Sequence, residues 1–134
     1  MQVEEIFIKE LGDMSIETRQ IFIVDDDKSI CRALKLLLMT YGFDVDTFSS
    51  AEEFFSAVPN SAPGCLILDI HMPGLSGWEA QKKLERSGSK RPVIFISADK
   101  REGLREKALK AGVSWYLQKP FNDQELVDLI NRAY

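Results

Sequence analysis

Five polar side chains stand at the ends of short apolar runs in the sequence. Asp25 and Asp26 follow "IFIV", Asp69 follows "CLIL", Ser97 ends "VIFIS", and Lys119 comes just after "WYL". Carboxylates are the ligands that hard divalent cations prefer, and an ammonium group or a hydroxyl can bind phosphate oxygens. Acids crowded together repel each other unless a cation neutralises them. These residue types therefore suggest metal-assisted phosphoryl chemistry, provided that the fold brings them together.

Apolar runs and helical stripes alternate along the chain. Short apolar runs favour strands, apolar residues three and four positions apart favour helices, and S-x-x-E patterns mark helix starts at Ser50 and Ser76. The predicted strands cover residues 21–24, 43–48, 65–69, 92–99 and 114–119, and the predicted helices cover residues 29–41, 50–58, 76–88, 101–112 and 122–134. Strict alternation predicts an α/β fold with a parallel sheet and helices on both faces.

The five-stranded parallel sheet is predicted to have the order 2-1-3-4-5, in a flavodoxin-like, three-layer (βα)5 arrangement. Strands 1, 3 and 4 are almost continuously apolar, as central strands are, whereas strand 2 alternates apolar and polar residues, as an edge strand does. Right-handed crossovers favour the same order. Ligands of such sheets bind at the carboxyl ends of the strands where the order reverses, here between strands 1 and 3. The polar residues are therefore predicted to meet at one edge of the sheet.

Three acids in one cleft need a counter-charge to stay ionised. Mg²⁺ supplies it with few carboxylates and keeps its other positions for water and phosphate oxygens. Asp25, Asp26 and Asp69 would then form a magnesium site, and Ser97 and Lys119 would hold the remaining oxygens of a phosphoryl group. One carboxylate would attack phosphorus and form an acyl phosphate.

Four stretches of the chain, "IVDDD", "LILDIHMPGLSGWE", "VIFISA" and "YLQKPF", occur in the order and spacing of a known family. Together they resemble the receiver domain of response regulators in two-component signalling, over about residues 20–134. The "SAEEFFSA" segment is most similar to receivers attached to helix-turn-helix transcription regulators. The resemblance implies a cytoplasmic switch that a histidine kinase or a phosphotransfer protein phosphorylates.

The resemblance also assigns the acidic residues. It makes Asp69 the phosphoacceptor. Asp26 and Asp69 would bind Mg²⁺ directly, Asp25 through a metal-bound water, and His71 through its backbone carbonyl.

A second group of residues would bind the phosphoryl group and transmit its presence. The resemblance implies that Ser97 and Lys119 bind phosphoryl oxygens, and that the Lys119–Pro120 peptide bond is cis. Tyr116 matches an aromatic switch residue that turns inward when Ser97 moves toward the phosphate. This movement would change the face made by the fourth helix, the fifth strand and the fifth helix, where the "REGLREK" charges and the Trp115–Tyr116 pair lie. The changed face would regulate a partner or an output domain, or it would bind a second copy in a homodimer.

The resemblance places His71 and Asp99 at positions that vary among receivers and implies that they tune the hydrolysis of the phosphoryl group. The only catalysis that the resemblance implies is the domain's own phosphorylation and dephosphorylation. The main alternative is a phosphatase of the haloacid-dehalogenase type, which also uses an Asp nucleophile with Mg²⁺. That family needs a second Asp two residues after the nucleophile, where this chain has His71. A binding module with a silent site is a third reading, and the complete acid, hydroxyl and lysine set argues against it.

Composition narrows the classes of partner. The chain has 134 residues and a net charge of −4 with no basic run, so no nucleic-acid surface is expected. No apolar run approaches the roughly 18 residues that a membrane span needs. Acids near the N-terminus argue against a signal peptide, and Cys31 and Cys65 are expected to be buried, reduced thiols. These features favour a cytoplasmic protein.

Residues 1–19 are predicted to be an N-terminal extension of the domain. We expect them to be disordered. The alternative is a short helix that docks on the domain or on a partner, because five apolar residues at helical spacing would share one face: Val3, Ile6, Phe7, Leu11 and Met14.

Overall fold

Five strands and five helices alternate along residues 19–134 of the computed structural model, which are the residues that the structure describes. The strands are β1 (Gln20–Val24), β2 (Asp44–Phe48), β3 (Cys65–Asp69), β4 (Val93–Ser97) and β5 (Trp115–Gln118). The helices are α1 (Lys28–Thr40), α2 (Ala51–Ala57), α3 (Gly77–Arg86), α4 (Leu104–Lys110) and α5 (Asp123–Ala133). The predicted N-terminal extension falls almost entirely outside the described residues.

All strand pairs are parallel, and the strand order is β2-β1-β3-β4-β5. The predicted fold and order are therefore confirmed. Alternate residues of the sheet face two apolar layers. Ile21 and Ile23 of β1 pack toward α1 and α5, whereas Phe22 and Val24 pack toward α2, α3 and α4. Burial on both faces explains why the central strands are almost continuously apolar.

Side-chain caps fix most of the helix starts. Asp27 caps α1 by accepting hydrogen bonds from the backbone N–H groups of Ser29 and Ile30, so the third acid of the "DDD" run has a structural role. Capping boxes open α3 at Ser76 and α5 at Asn122. The loops that lead into the helices are thereby held in register with the sheet.

Helix α4 starts later than predicted. The sequence pattern suggested a start at residue 101, whereas the helix begins at Leu104. The N-cap residue Gly103 adopts a left-handed backbone conformation with φ of 84°, and no side-chain hydrogen bond caps the helix there. The backbone N–H of Arg101 donates instead to Asp99 Oδ1, at 3.0 Å, which holds this segment as a turn. The prediction that residues 101–103 are helical is therefore wrong.

Tyr134 ties the end of α5 to the sheet. Its hydroxyl donates a hydrogen bond to the carbonyl of Gln20 and accepts one from the backbone N–H of Cys65 at 3.0 Å. These two groups lie at the amino ends of β1 and β3, beside the first paired residues of the two strands. A side-chain hydroxyl thus bridges the two strands at this edge.

Both cysteines are free thiols and both are buried, as predicted. No helix within residues 19–134 combines the length and the apolar character needed to cross a bilayer.

Candidate functional site

The three predicted acids lie together at the carboxyl edge of the sheet. Asp25 follows β1 directly and Asp69 ends β3, and the pairing of Val24 with Leu68 sets the two acids side by side. One carboxylate oxygen from each of Asp25, Asp26 and Asp69 lies within 4.8 Å of the other two. Asp25 and Asp69 are buried, whereas Asp26 is exposed. The cluster therefore has a buried floor and one wall open to solvent.

Lys119 reaches the same cluster from the end of β5. Its Nζ lies 3.2 Å from Asp25 Oδ2 and 4.0 Å from Asp69 Oδ1. Burial and the nearby Asp25 carboxylate raise the pKa of Asp69 to about 6, although Lys119 and a hydrogen bond from the His71 backbone oppose the shift. The cluster thus holds three carboxylates and one ammonium group, and it keeps a net negative charge when all three acids are ionised.

This oxygen-only donor set suits a hard divalent cation. Mg²⁺ binds through one or two carboxylates and keeps several positions for water and phosphate oxygens. Three converging carboxylates with an exposed side offer both features. The raised pKa of Asp69 indicates that Lys119 and the other protein groups do not fully offset the cost of a negative charge on this carboxylate.

Ser97 ends β4 and is fully buried beside Asp69. The strand pairing sets Asp69 opposite Ile96, so Ser97 follows at the same edge of the sheet. Its Oγ accepts a hydrogen bond from the backbone N–H of Asp99 at 3.0 Å. The hydroxyl proton remains available to donate to an anion bound at Asp69.

His71 and Asp99 meet at the exposed side of the cluster. The His71 Nε2 atom lies 3.0 Å from Asp99 Oδ2. Arg101 binds the same carboxylate through its Nε atom, at 3.0 Å from Oδ1 and 2.9 Å from Oδ2. Hydrogen bonds from Arg101 hold the pKa of Asp99 far below its usual range. Asp99 is therefore a carboxylate clamped between an imidazole and a guanidinium.

The sequence predicted His71 and Asp99 as neighbours of the site but not their contact with each other, and it missed Arg101. The only available signal was the two-residue spacing between Asp99 and Arg101, which lets a side chain fold back on its neighbour in a turn.

Tyr116 of β5 already lies inside the domain. Its ring is buried and its hydroxyl donates a hydrogen bond to the carbonyl of Asp99 at 3.3 Å. The guanidinium of Arg105 lies 5.8 Å from the ring centroid on the outer side. The prediction linked the inward position to phosphorylation, and it treated Trp115 and Tyr116 as a surface pair. In this structure only Trp115 of the two is partly exposed.

The loop after Asp69 packs closely against the strand end. A Cβ atom on Gly77 would lie 2.8 Å from the carbonyl oxygen of Asp69 and 2.7 Å from the Cα of Ile70, so only glycine fits there. Gly74 has a φ of 76°, which suits the turn that it forms with Met72 and Pro73. The Lys119–Pro120 peptide bond is cis, as predicted. Both loops therefore bring backbone close to the acidic cluster.

Comparison with known proteins supports the resemblance. The family model described as the response regulator receiver domain matches residues 21–131. The chain is 42% identical over 123 residues to the response regulator protein TodT of Pseudomonas putida, which covers 92% of this chain and 54% of the relative. It is also 34% identical over 113 residues to the transcriptional regulatory protein FixJ of Bradyrhizobium diazoefficiens, covering 84% of this chain and 55% of the relative. The chain thus spans about half the length of these curated relatives.

Comparison with solved structures points to the same family. The response regulator StyR superposes with a TM-score of 0.81 at 39% identity, covering 87% of this chain and 59% of that structure. None of these matches supports the haloacid-dehalogenase alternative, and the residue two past Asp69 is a histidine, not the aspartate that such phosphatases need. With its fold, its acidic cluster and its matches pointing the same way, the chain belongs to the response regulator receiver domain family.

Proposed function

We propose that Asp69 accepts a phosphoryl group from the phosphohistidine of a sensor histidine kinase or of a phosphotransfer protein. The single observation that carries this proposal is the position of Asp69 at the end of β3. There its carboxylate lies within 4.8 Å of two other acids and 4.0 Å from the Lys119 ammonium group. This combination offers a nucleophile, a cation site and a fixed positive charge at one point.

Asp26 and Asp69 would hold Mg²⁺ directly, with the His71 carbonyl as a third protein ligand and Asp25 acting through a metal-bound water. When bound, the ion would neutralise negative charge on the phosphoryl group during transfer. The protein's own contribution is to fix these ligands at a strand end and in a closely packed loop.

The transfer itself needs little from the side chains beyond position and charge. A carboxylate oxygen of Asp69 forms a bond to phosphorus as the phosphorus–nitrogen bond of the phosphohistidine breaks, and the electron pair stays on the leaving imidazole nitrogen. Lys119 and the Ser97 hydroxyl bind the phosphoryl oxygens. The product is an acyl phosphate on Asp69.

Hydrolysis of the acyl phosphate returns the switch to its starting state. Water must approach phosphorus from the exposed side, where His71 and the clamped Asp99 stand. We infer that these two side chains set the rate at which water attacks, and that self-dephosphorylation is the domain's only hydrolytic activity. Regulation of a partner or of an output domain follows from the lifetime of the acyl phosphate.

Incubation with phosphoramidate tests the proposal without a kinase. With Mg²⁺, the intact mass should increase by one phosphoryl group, and reduction of the acyl phosphate with borohydride should locate the label at Asp69. With EDTA in place of Mg²⁺, labelling should fall to background. A label on a serine or histidine, or labelling that is independent of Mg²⁺, would contradict the proposal.

We further propose that phosphorylation promotes self-association through the face formed by α4, β5 and α5. A cavity of about 330 Å³ on this face is lined by Arg105, Arg132, Glu125 and Asp128, together with Trp115 and other residues of β5 and α5. Two cations and two anions on one surface can pair with their copies across a two-fold axis.

Sedimentation with and without beryllofluoride, a stable mimic of the phosphoryl group on Asp69, measures this association. We expect dimerisation to strengthen about tenfold with beryllofluoride, which corresponds to about 1.4 kcal/mol. Replacing Arg105 and Arg132 by Glu should remove the increase. Arg101 is not suitable for this test because it clamps Asp99 beside the phosphorylation site. A monomer in both states, or a dimer that the charge reversals leave intact, would refute the proposed interface.

A further inference from the structure

The outer face of α1 combines cations with exposed apolar side chains. Lys28, Arg32 and Lys35 follow each other at four- and three-residue spacing, which places them along one side of the helix. Leu36 and Met39 continue this side toward the end of the helix, and they are 61% and 51% exposed. We call these five residues the α1 surface. Such large exposed apolar side chains beside a row of cations suit an acidic, amphipathic partner.

The described residues give these cations no ion-pair partner. Within residues 19–134, no carboxylate lies within 4.0 Å of the charged groups of Lys28, Arg32 or Lys35. The three side chains line a cavity of about 480 Å³ together with Asp25 and Glu53. Both of these acids have other partners, because Asp25 pairs with Lys119 and Glu53 accepts a hydrogen bond from Ser49.

The chain itself contains a segment of the opposite charge. Residues 1–18 hold five of the 21 acidic residues and only one of the 17 basic residues. They therefore carry the whole net charge of −4, and the rest of the chain is neutral. The same segment has five apolar residues at helical spacing, namely Val3, Ile6, Phe7, Leu11 and Met14. Nothing in the receiver chemistry accounts for this segment.

The segment joins the domain at the edge of the sheet where α1 ends. Arg19 stands just before β1, and its carbonyl accepts a hydrogen bond from the backbone N–H of Asp44 at 3.2 Å. Its guanidinium lies 4.6 Å from the ring centroid of Phe43, in the loop that ends α1. Met39 is in the last turn of that helix. Arg19 also donates a hydrogen bond to Asn131 of α5, at 2.7 Å, so the chain enters β1 at the edge of the sheet where both α1 and α5 end.

The segment is long enough to reach the whole α1 surface. Its five acids, Glu4, Glu5, Glu10, Asp13 and Glu17, are interspersed with its apolar residues over the whole length. A stretch of 18 residues is about 27 Å long even as a helix, and α1 is about 20 Å long, so the reach is sufficient.

We propose that the α1 surface is the docking site for residues 1–18 of this chain, with the acids of the segment against its cations and apolar residues of the segment against Leu36 and Met39. Because the segment is tethered, its effective concentration is in the millimolar range, so weak contacts suffice. Exposed ion pairs are weak individually and are screened by salt, so the docked population should fall as ionic strength rises.

Paramagnetic relaxation in the full chain tests the docking. A nitroxide on Cys at position 2 (Gln2→Cys) should broaden the amide signals of α1 between Arg32 and Met39 at low salt. The native thiols are buried and should resist labelling, which an unmutated sample verifies. Raising NaCl to 0.5 M should reduce the relaxation enhancement at least twofold.

Charge reversal separates docking from chance proximity. Replacing Lys28, Arg32 and Lys35 together by Glu should remove the broadening. The same replacement at the exposed Lys82, Lys90 and Lys110 should leave the broadening in place. Should the first variant fail to fold, the salt dependence decides alone. The proposal is overturned if α1 shows no broadening at low salt, or if the broadening withstands both salt and charge reversal. Broadening of an isotope-labelled chain by a separate spin-labelled chain would also overturn it, because a second copy would then be the occupant.

Discussion

Replacing Asp69 by Asn is expected to abolish phosphoryl transfer to the protein. The side chain keeps its shape, but the neutral amide cannot act as the nucleophile and is a poorer ligand for a cation. Loss of a nucleophile costs enzymes many orders of magnitude in rate, so the initial rate of labelling by phosphoramidate with Mg²⁺ should fall by at least about a thousandfold. Intact-mass spectrometry over time measures this rate.

Asp44→Asn provides a matched control for that experiment. Asp44 is exposed and opens β2 at the opposite edge of the sheet, so the same chemical change there should leave labelling at the wild-type rate. Undiminished labelling of the Asp69 variant at another residue would show that Asp69 is not the acceptor. Equal losses in both variants would indicate a general effect on the fold.

The same Asp69→Asn substitution is expected to stabilise the metal-free protein at neutral pH. The pKa of Asp69 is raised from 3.8 to about 6, so the folded state binds its proton more tightly than the unfolded state does. A raised carboxyl pKa lowers stability as pH increases from about 4 to about 6, and the loss is complete above that range. Asn carries no such charge, so the variant should exceed wild type by on the order of 2 kcal/mol at pH 7.

Urea unfolding in EDTA at pH 4, 5, 6 and 7 measures the difference. The advantage of the variant should shrink toward zero at pH 4, where the wild-type carboxyl becomes protonated in both states. Adding Mg²⁺ at pH 7 should stabilise wild type more than the variant, since the ion binds only the folded carboxylate cluster. A difference that does not change with pH, or a less stable variant at pH 7, would mean that the charge of Asp69 is already compensated within the protein.

The sequence predicted the fold because its signals are local and repeated. Apolar runs, capping patterns and glycine stops each define one element, and the alternation of elements then leaves few topologies. The predicted meeting of Asp25 and Asp69 followed from topology alone, since parallel neighbouring strands end at the same edge. The start of helix α4 was predicted wrongly. The turn at Asp99 competes with the first helical turn, and the N-cap residue Gly103 has no side chain that could cap the helix.

The finer geometry of the site could not be predicted from the residues. The position of Lys119, closer to Asp25 than to Asp69, depends on how a long side chain packs within a charged cluster. The clamp of Asp99 between His71 and Arg101 joins two loops that are distant in sequence. The inward position of Tyr116 depends on a hydrogen bond to a backbone carbonyl, which leaves no pattern in the sequence.

The hydroxyl of Tyr134 has a mechanical consequence. Helix α5 begins just after Lys119 and Pro120, at the edge that carries the acidic cluster, and its far end is fastened to β1 and β3 through Tyr134. Any displacement of α5 that keeps this fastening is a pivot about its last turn. The helix is about 16 Å long, so a tilt of a few degrees moves its first turn by about 1 Å. In this geometry α5 tilts about a pivot at the edge of the sheet opposite the acids, so the largest displacement is at the end of the helix nearest the acidic cluster.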